Sequence, residues 1–451
     1  MEWAEQELAG INLGDERLNK RSVKLLGRLG EKPTASIPAA CNGWSETQAA
    51  YRFLAQPEIG WEAILTPHFR CTQERMRGRP VVLCIQDTTE LDFNGQEIAG
   101  LGKLSYTAQR GMYLHPTYVV SPEREPLGVL DAWMWVRGDD AKLSRALPAG
   151  TKESCRWVEG YQRLAEQAAA LPDTRLVYVA DREGDFIDLM VQADTLGTPV
   201  DWLIRSVHNR KVVDEQDKLW EGFDGQHVLG EINFILPARK ATRGQAGQKT
   251  RNVTQQLCVK RCTLRSRKGQ RIDVTALLAQ EMNAPDGCKP LVWRLLTNRR
   301  VDTLEEAAEL VDWYRCRWEV EIFFDVLKNG CKVETLQLSR IERLELALAL
   351  FMIIAWRIQR LMRLGRTCPE IDCEIVFDRE EWHAAYIVAG KPVPKEVPPL
   401  NAVIRLIASF GGFLGRKGDG EPGVKTIWIG LQRVQDFAAG IRAYKAGDIC
   451  V

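Results

Sequence analysis

The sequence predicts an α/β protein whose mixed β-sheet, flanked by helices, carries an all-β insertion and has helical domains at both ends. Three observations lead to this prediction. Short runs rich in β-branched and aromatic residues begin near residue 80, and from about residue 150 helical stretches alternate with strands. β-like runs separated by polar turns follow until about residue 288. The segments before residue 70 and after residue 400 have helical patterns. Alternating strands and helices are typical of a sheet with helices on its faces.

Length and composition set the class of protein but not its partner. A chain of 451 residues corresponds to two to four domains at ~150 residues per domain. Apolar residues are 45% and charged residues 27% of the chain, as in soluble globular proteins. The net charge of +1 neither demands nor excludes an anionic partner, so the local distribution of charge must decide.

The first segment, from residue 3 to about residue 70, is predicted to be helical. Asp15 is a plausible N-cap, and Gly27 and Gly30 are expected to end the first long helix. Five basic residues recur on one face of that helix: Arg17, Lys20, Arg21, Lys24 and Arg28. The stripe is either a DNA-binding surface or an ordinary solvated helix face.

The central region is predicted to contain three strands followed by alternating helix and strand. The three strands are PVVLCIQD, YLHPTYVV and LGVLDAWMWV. They are followed by a helix at 151 to 171, the strand RLVYVAD, a helix at 184 to 195 and the strand DWLIRSV. This order resembles a ribonuclease H-like core. Residues 207 to about 288 then read as an all-β insertion, and PLVWRLLTN returns to the core.

The insertion contains a strongly basic block. Residues 239 to 271 hold eleven Lys or Arg, including Lys260, Arg261 and Arg265, and no Asp or Glu. In a protein of neutral net charge, such a block favours contact with a phosphate backbone. A solvated hairpin surface is the alternative.

After the insertion, a long helix is predicted from Thr303 to Asn329, with more helix to about residue 365. The Pro-rich stretch that follows is interpreted as a connection, and residues 400 to 445 as helical. Four apolar residues share one face there: Val403, Ile404, Ile407 and Phe410. That face suits either a partner chain or the core of the same chain.

Cysteine usage and the N-terminus predict a cytoplasmic protein. The twelve cysteines lack CxxC spacing and are interpreted as free thiols. The start MEWAEQELAG is acidic, unlike a secretory signal. The longest apolar run, Leu346 to Trp356, is shorter than the ~20 residues of a membrane span and is expected to be a buried helix.

Acidic residues at strand ends suggest metal chemistry. Asp87 ends the first strand, Asp181 ends a later one, and the long helix offers Glu319, Glu321 and Asp325. Carboxylates arranged in this way can hold two Mg²⁺ ions for phosphodiester chemistry. Any one of them alone is as easily a turn former.

Helical geometry separates the acidic residues of the long helix. At 100° per residue, four residues fall within a sector of about 60°. These are Tyr314, Arg317, Glu321 and Lys328. Glu319 faces away, whereas Asp325 lies on the same face, just outside this sector, and remains a rival metal ligand. An amphipathic helix with ion pairs along one face is the alternative interpretation.

These residues resemble a known family. The sequence is similar to bacterial insertion-sequence transposases of the DDE type. The similarity lies in the spacing Y-(2)-R-(3)-E-(6)-K and in three segments: QDTTELDF around Asp87, VADREGDF around Asp181 and YRCRWEVEIFFDVLKNG around Glu321. The group typified by the kanamycin-resistance transposon's enzyme is the nearest in pattern. Its N-terminal end-recognition domain resembles WAEQELAGINLGDERLNKRSVKL, and its C-terminal region resembles LIASFGGFLGRKGDGEPG.

The resemblance implies roles for particular residues. Asp87, Asp181 and Glu321 would form the catalytic triad and hold two Mg²⁺ ions, for which Mn²⁺ would substitute. Backbone phosphate would be gripped by Tyr314, Arg317 and Lys328. Aromatic surfaces would be provided by Trp318 and Trp293, the latter supporting a base flipped out of the duplex, since stacking on an aromatic ring is worth ~1 to 3 kcal/mol per base.

The resemblance also implies an organisation and a reaction. Residues 1–70 would recognise transposon ends, 71–365 would form the catalytic domain with its insertion at about 207–288, and 366–451 would dimerise. A homodimer would bind double-stranded end and target DNA and perform cut-and-paste transposition through nicking, hairpin formation and resolution, and strand transfer. A nuclease or resolvase without strand transfer, and a non-catalytic inhibitor of transposition, are the alternatives.

Overall fold

The fold is described from a computed structural model. The structure describes residues 2–106, 108–137, 155–223, 228–236, 247 and 249–445. The chain divides into two compact units. The first comprises Met1–Arg77, Thr88–Thr151 and Trp318–Val451, and the second comprises Gly78–Asp87 and Lys152–Arg317.

The N-terminal segment of the first unit is helical, as predicted. Its helices are α1 (Glu2–Glu7), α2 (Glu16–Glu31), α3 (Ile37–Ala40), α4 (Trp44–Leu54) and α5 (Trp61–Met76). The Asp15 carboxylate caps α2 by accepting a hydrogen bond from the Arg17 amide, which confirms the predicted cap. Gly27 and Gly30 do not end α2, because the helix continues to Glu31. Gly30 instead allows close packing, since a Cβ there would lie 2.4 Å from the Trp3 ring.

The second unit contains a mixed sheet whose strands match the predicted ones. Among its described residues the strand order is β1-β6-β7-β11-β10-β9-β8. The strands are β1 (Val81–Gln86), β6 (Arg175–Ala180), β7 (Asp201–Arg205), β8 (Val228–Leu236), β9 (Arg251–Arg265), β10 (Arg271–Glu281) and β11 (Val292–Thr297). Strands β1, β6 and β7 are parallel. The helices of this unit are α6 (Cys155–Ala168), α7 (Ile187–Thr195) and α8 (Leu304–Arg315).

The segment predicted as an all-β insertion continues this sheet. Strands β8, β9 and β10 are antiparallel neighbours, and β10 pairs with β11, which pairs with β7. The inserted strands therefore share a hydrogen-bond ladder with the core strands of the second unit. Arg239, Lys240 and Arg243 of the basic block lie outside the described residues.

The first unit contains antiparallel strands and a buried helix. Strand β4 (Arg110–Val120) pairs with β2 (Thr89–Asp92), β3 (Gly102–Lys103) and β5 (Pro126–Trp135). Helix α10 (Ile341–Thr367) is buried along most of its length, including the whole apolar run from Leu346 to Trp356. The expectation that this run is a buried helix is confirmed.

The single long helix predicted from Thr303 to Asn329 is wrong. Helix α8 ends at Arg315, a turn follows, and α9 (Trp318–Asp325) begins three residues later. A π-helical turn covers Val326–Gly330. Because the helix is interrupted, a rotation of 100° per residue cannot be applied continuously from Tyr314 to Lys328. It still holds within α9.

The C-terminal segment contains three helices: α11 (Arg379–Val388), α12 (Leu400–Phe410) and α13 (Val424–Lys445). The interpretation of the α11 region as a connection is wrong, because it misses this helix. The signal for the helix is a reciprocal capping box formed by Asp378 and Glu381. On α12, Val403, Ile404 and Ile407 are buried within the chain. Of the two alternatives for that face, the intrachain core is the correct one for these residues.

Two further expectations concern the cysteines and membrane-spanning helices. Eleven cysteines among the described residues are free thiols, as predicted. Within the described part of the chain, no helix is both long and apolar enough to span a bilayer.

Candidate active site

Two aspartates stand side by side at one edge of the sheet in the second unit. Strands β1 and β6 are parallel, with Gln86 opposite Ala180. The next residue of each strand is an aspartate, Asp87 and Asp181. Residues in register on adjacent parallel strands project to the same face, about 4.8 Å apart. Because β1 and β6 end in register, the residues that follow them, Asp87 and Asp181, lie at the same edge of the sheet.

The end of β1 is fixed by close packing against α6. Gln86 is fully buried, and a Cβ on Gly160 of α6 would lie 2.1 Å from the Gln86 amide nitrogen. Only glycine leaves room for that amide. Because Gln86 directly precedes Asp87, this contact restricts the backbone that carries the carboxylate.

Asp87 is neutralised by an arginine. The carboxylate is 7% exposed and accepts a hydrogen bond of 2.7 Å from Arg317 Nη1, on a residue that is 8% exposed. Arg317 lies two residues beyond the end of α8. Arg317 was expected to contact backbone phosphate; in this structure its guanidinium binds a predicted catalytic carboxylate. A buried pair of this kind is costly to break by removing one partner.

Tyr314 lies in the same cluster, on the last turn of α8. Burial raises the pKa of its hydroxyl, while the positive charges of Arg317 and Arg205 act in the opposite direction and Asp181 reinforces the rise. Tyr314 is 4% exposed. The second unit thus gathers Tyr314, Arg317 and Arg205 close to the paired aspartates. Arg205 was not predicted as a site residue. Its position at the end of the third parallel strand, β7, is the feature of the sequence that could have indicated it.

A buried carboxylate, Asp185, lies four residues after Asp181. Asp185 is 1% exposed, and its Oδ2 accepts hydrogen bonds from the backbone amides of Val207 and His208, at 2.8 and 3.0 Å. Its Oδ1 forms an ion pair with Arg210 Nη1 at 2.7 Å. Asp185 therefore fixes the loop that follows β7. Asp185 was not predicted as a site residue, although it is the second aspartate in VADREGDF.

Trp293, expected to support a flipped base, is enclosed by other aromatic rings. It is 7% exposed, and its ring lies 6.0 Å from that of Phe234 with an angle of 10° between their planes. The Tyr314 ring approaches at 6.0 Å and 63°. The Arg315 guanidinium lies 4.6 Å from the centroid of the Phe234 ring. A base that stacks on Trp293 must therefore share its surface with Phe234 or displace it.

In the first unit, α9 separates two glutamates onto opposite faces. Glu319 is 1% exposed, forms an ion pair with Arg363 and accepts a hydrogen bond of 2.9 Å from Gln359 Nε2. Glu321, 200° further around the helix, is exposed. The predicted separation of these two residues is confirmed. Asp325 is also exposed, so exposure does not distinguish it from Glu321.

The other predicted DNA contacts of the first unit differ in accessibility. Trp318, at the start of α9, is 58% exposed and offers an aromatic surface. Lys328 is half-buried on the π-helical turn after α9. Both lie in the first unit, whereas Tyr314, Arg317 and Trp293 lie in the second.

The basic stripe of α2 is largely paired with carboxylates. Arg17 contacts Asp15, Lys20 contacts Glu16, and both Lys24 and Arg28 contact Glu46. Arg21 has no carboxylate partner among the described residues. The side chains of Arg17 and Lys20 remain 91% and 78% exposed, so their pairs with carboxylates are solvent-screened and weak.

The basic block of the insertion divides into paired and unpaired residues. Lys260 lies 2.5 Å from Glu215, with its side chain 11% exposed, and Arg261 is paired with Asp302. Arg265 and, at the turn between β9 and β10, Arg267 and Lys268 are exposed. These three side chains have no carboxylate partner among the described residues. Of the three predicted DNA contacts in the block, only Arg265 is an exposed cation without a counter-charge in the described part of the chain.

The carboxylates suit a hard divalent cation, since Mg²⁺ prefers one or two carboxylate ligands together with substrate phosphate. Asp87 and Asp181 supply such oxygens from adjacent strand ends. Among the described residues, no group of three His, Cys, Asp or Glu side chains is arranged to hold a metal ion. The fit therefore rests on the two aspartates of the second unit.

Comparison with known proteins gives three matches along the chain. Residues 1–59 match the family model described as transposase DNA-binding, residues 200–357 match the transposase DDE domain, and residues 353–448 match the transposase Tn5 dimerisation domain. The DDE match includes Glu321 but begins after both aspartates. Among solved structures, the cryo-EM structure of piggyBac transposase synaptic complex with hairpin DNA is similar at a TM-score of 0.35 and 9% identity, covering 97% of this chain and 78% of that chain.

The matched segments, in this order, define the class: the chain is a DNA transposase. More particularly, it carries Tn5-type DNA-binding, DDE and dimerisation domains, so its partners are DNA and a second copy of itself. DDE domains depend in general on divalent metal ions.

Proposed function

We propose that this transposase acts by cut-and-paste transposition, with Asp87, Asp181 and Glu321 as its catalytic triad. The observation that carries the proposal is the in-register pairing of β1 with β6, followed in each strand by an aspartate. Asp181 also caps the turn after β6 by accepting a hydrogen bond of 2.7 Å from the Glu183 amide, but turn formation does not require that both parallel strands are followed by an aspartate at the same position. Two carboxylates that share one face at a strand edge are suited to phosphodiester chemistry.

Asp87, Asp181 and Glu321 would hold two Mg²⁺ ions, with Mn²⁺ as a substitute. Bound at this position, the ions would activate water and neutralise the charge that develops on the attacking and leaving oxygens. The carboxylates orient these ions. The protein needs no nucleophile of its own, because water and the 3′-hydroxyl of DNA attack phosphorus in turn.

In the proposed reaction, water first nicks the DNA at the transposon end and leaves a 3′-hydroxyl. This hydroxyl attacks the opposite strand, so that a hairpin forms on the transposon end and the flanking DNA leaves. Water reopens the hairpin, and the restored 3′-hydroxyl attacks target DNA. Each step exchanges one phosphodiester bond for another or hydrolyses one.

Arg317 has a role in this scheme that follows from its contact with Asp87. While the guanidinium donates to the carboxylate at 2.7 Å, it supplies the positive charge that this buried group requires. Once another cation neutralises Asp87, Arg317 would be able to bind backbone phosphate beside Tyr314 and Arg205. Tyr314, Arg317 and Lys328 would then grip the DNA, with Trp318 adding an aromatic surface.

Trp293 is proposed as the support for a base flipped from the duplex during hairpin formation. Its parallel neighbour Phe234, half-buried on β8, would shift to admit the base or would cover the second face of that base. Stacking on aromatic rings offsets part of the cost of unstacking a base, which is a few kcal/mol.

We assign end recognition to residues 1–70, chemistry to 71–365 and dimerisation to 366–451. The exposed cations of α2, Arg17 and Lys20 with Arg21, would contact end DNA. In the insertion, we assign DNA contact to Arg265, Arg267 and Lys268. Lys260 and Arg261 are less suited to that contact because they already have carboxylate partners. Excision requires two ends to be cut together, so a homodimer would hold two ends.

The test is an in vitro reaction containing protein, Mg²⁺, DNA with the element's own ends and a target plasmid. We expect nicked, hairpin and joined products, mapped at nucleotide resolution. Nicking without joining would instead indicate a nuclease or resolvase. Binding without any metal-dependent nicking would indicate a non-catalytic inhibitor.

A further inference from the structure

A cavity in the first unit, distant in the sequence from the proposed triad, is lined by arginines and tryptophans. Its volume is about 180 Å³, and its walls come from α1, α5, α10 and residues 375–376. Three arginines line it, Arg75, Arg357 and Arg360, whereas Glu7 is the one acidic side chain among the lining residues. No part of the transposition reaction described above uses these residues.

The lining carboxylate is already engaged. Glu7 Oε1 contacts His68 Nδ1 at 2.5 Å and accepts from Arg75 Nη2 at 2.9 Å, while Oε2 accepts from Arg75 Nη1 at 3.1 Å. Although burial alone would raise it, the pKa of Glu7 is lowered to about 2 by His68 and Arg75. Glu7 is therefore ionised, and its charge is balanced by Arg75.

Arg357 lacks such a partner. It is 9% exposed, its guanidinium donates a long hydrogen bond of 3.4 Å to the Val376 carbonyl, and no described residue forms an ion pair with it. The charge of Glu381 acts on Arg357 from beyond ion-pair distance. The guanidinium lies 4.5 Å from the centroid of the Trp3 ring, which fixes its plane.

Arg360 is also incompletely satisfied. Its Nη2 lies 3.4 Å from Glu125 Oε1, and its buried Nε has no hydrogen-bond acceptor among the described residues. The guanidinium lies 5.6 Å from the Trp356 ring centroid, and that of Arg75 lies 4.2 Å from the same centroid. Burial and the nearby Arg75 both lower the pKa of Arg360. The three lining arginines thus outnumber the one lining carboxylate, and the other counter-charges lie outside the lining: Glu125, which forms an ion pair with Arg360, and Glu381, Asp378 and Glu31, which act on Arg357.

We infer that this cavity binds a phosphate group. Arginine forks match phosphate oxygens in geometry, and a buried guanidinium without a full set of acceptors is stabilised by an anion. The cavity accommodates a phosphate ion but is too small for a duplex. The bound phosphate would also connect Trp3 of α1 to Arg357 of α10, and so hold the first helix of the DNA-binding segment in place.

The experiment is a calorimetric titration of the full-length protein with inorganic phosphate at constant ionic strength. We expect saturable binding of one phosphate per chain, and an affinity that falls about tenfold or more in Arg360→Gln, since the variant cannot form the hydrogen bond between charged groups. Arg343→Gln is the matched control, because Arg343 lies on the same helix but does not line the cavity. It should bind phosphate as the wild type does.

A second measurement applies to the unmodified protein and does not depend on whether a variant folds. Cys71 lines the cavity, whereas Cys288 is exposed in the second unit. Phosphate should slow alkylation of Cys71 by iodoacetamide, read by peptide mass spectrometry, and leave Cys288 unaffected. A nucleoside 5′-monophosphate in place of phosphate distinguishes a free ion from a phosphate ester as the ligand.

Three results would overturn the inference. They are the absence of saturable phosphate binding by the wild type, equal binding by Arg360→Gln and Arg343→Gln, and unchanged Cys71 alkylation. Protection of Cys71 by DNA but not by phosphate would assign the arginines to a DNA backbone contact instead. Loss of transposition with phosphate binding intact would count against the proposed function alone.

Discussion

Two buried carboxylates in this protein each bind an arginine, yet their surroundings differ. In the second unit, Asp87 accepts from Arg317 at the end of a strand, beside a second aspartate in register. In the first unit, Glu319 lies on the buried face of a helix, where its partners are the guanidinium of Arg363 and the amide of Gln359. Burial and an arginine partner are common to both.

The difference lies in where each carboxylate stands in the fold. The Glu319 oxygens are occupied by two side chains from α10, an arrangement that joins two helices. Asp87 stands instead where a strand ends and the carboxyl edge of a parallel sheet opens, a usual location for ligands in α/β proteins. A buried ion pair is therefore weak evidence of function, and its position in the fold is stronger evidence.

The largest expected effect is on catalysis at the sheet edge. Asp87→Asn, Asp181→Asn and Glu321→Gln should each reduce nicking and joining by about a thousandfold or more, because each removes a proposed metal ligand. Rates are measured with metal and end DNA, and DNA binding is measured separately by electrophoretic mobility shift. Binding should persist in all three variants.

Asp325→Asn tests the rival ligand on α9. It should retain activity, since the resemblance assigns the role to Glu321. If Asp325→Asn is inactive while Glu321→Gln remains active, the assignment on α9 is wrong.

The next effect is on stability and concerns Glu319. Glu319→Ala should lower the free energy of unfolding by about 3 to 5 kcal/mol, because it leaves Arg363 buried without its partner. Chemical denaturation gives this value. Activity per folded molecule should remain close to that of the wild type.

Glu321→Ala is the matched variant on the exposed face of the same helix. It should change the free energy of unfolding by no more than about 0.5 kcal/mol, as is usual for surface positions. Should Glu319→Ala unfold at the same denaturant concentration as the wild type, the structural role of Glu319 would be refuted.

The smallest effect separates the two kinds of basic residue in the insertion. Replacing Arg265, Arg267 and Lys268 with alanine should weaken DNA binding and flatten its salt dependence, by about 0.9 in the log-log slope for every phosphate that is no longer neutralised. Fluorescence anisotropy across a range of salt concentrations measures that slope.

The paired residues of the block provide the comparison. Lys260→Ala should leave the slope unchanged, because Lys260 is already bound to Glu215 with its side chain mostly buried. An unchanged slope in the triple variant would make the turn between β9 and β10 an ordinary solvated surface.

Much of the fold could be predicted because local patterns and tertiary structure agree there. The runs before Asp87 and Asp181 are apolar and β-branched, and they form the buried strands β1 and β6. The N-cap of α2 at Asp15 was predicted correctly for the same reason, since a cap depends on neighbours within a few residues. Glu319 and Glu321 were separated correctly because helical periodicity holds within α9.

The failures occurred where distant residues decide the outcome. The break between α8 and α9 has no Pro or Gly to mark it, since the residues there are Cys316 and Arg317. Gly30 lies inside α2 and leaves room for the distant Trp3 ring, so it does not mark the end of the helix. Arg205 and Asp185 were missed as site residues, because their contacts with Tyr314 and with the loop after β7 join different elements.

The sequence by itself determined the order of the main elements apart from α11 and the break between α8 and α9, and its resemblance to DDE transposases gave the class of protein and the candidate catalytic carboxylates. These depend on residue type, spacing and periodicity, which are local properties of the chain. Only the tertiary structure decided that the strands before Asp87 and Asp181 pair in register, that Arg317 binds Asp87, and that the described cations of the basic block divide into those with and those without a carboxylate partner. Charge pairing depends on which side chains meet in space, and a linear pattern does not contain that information.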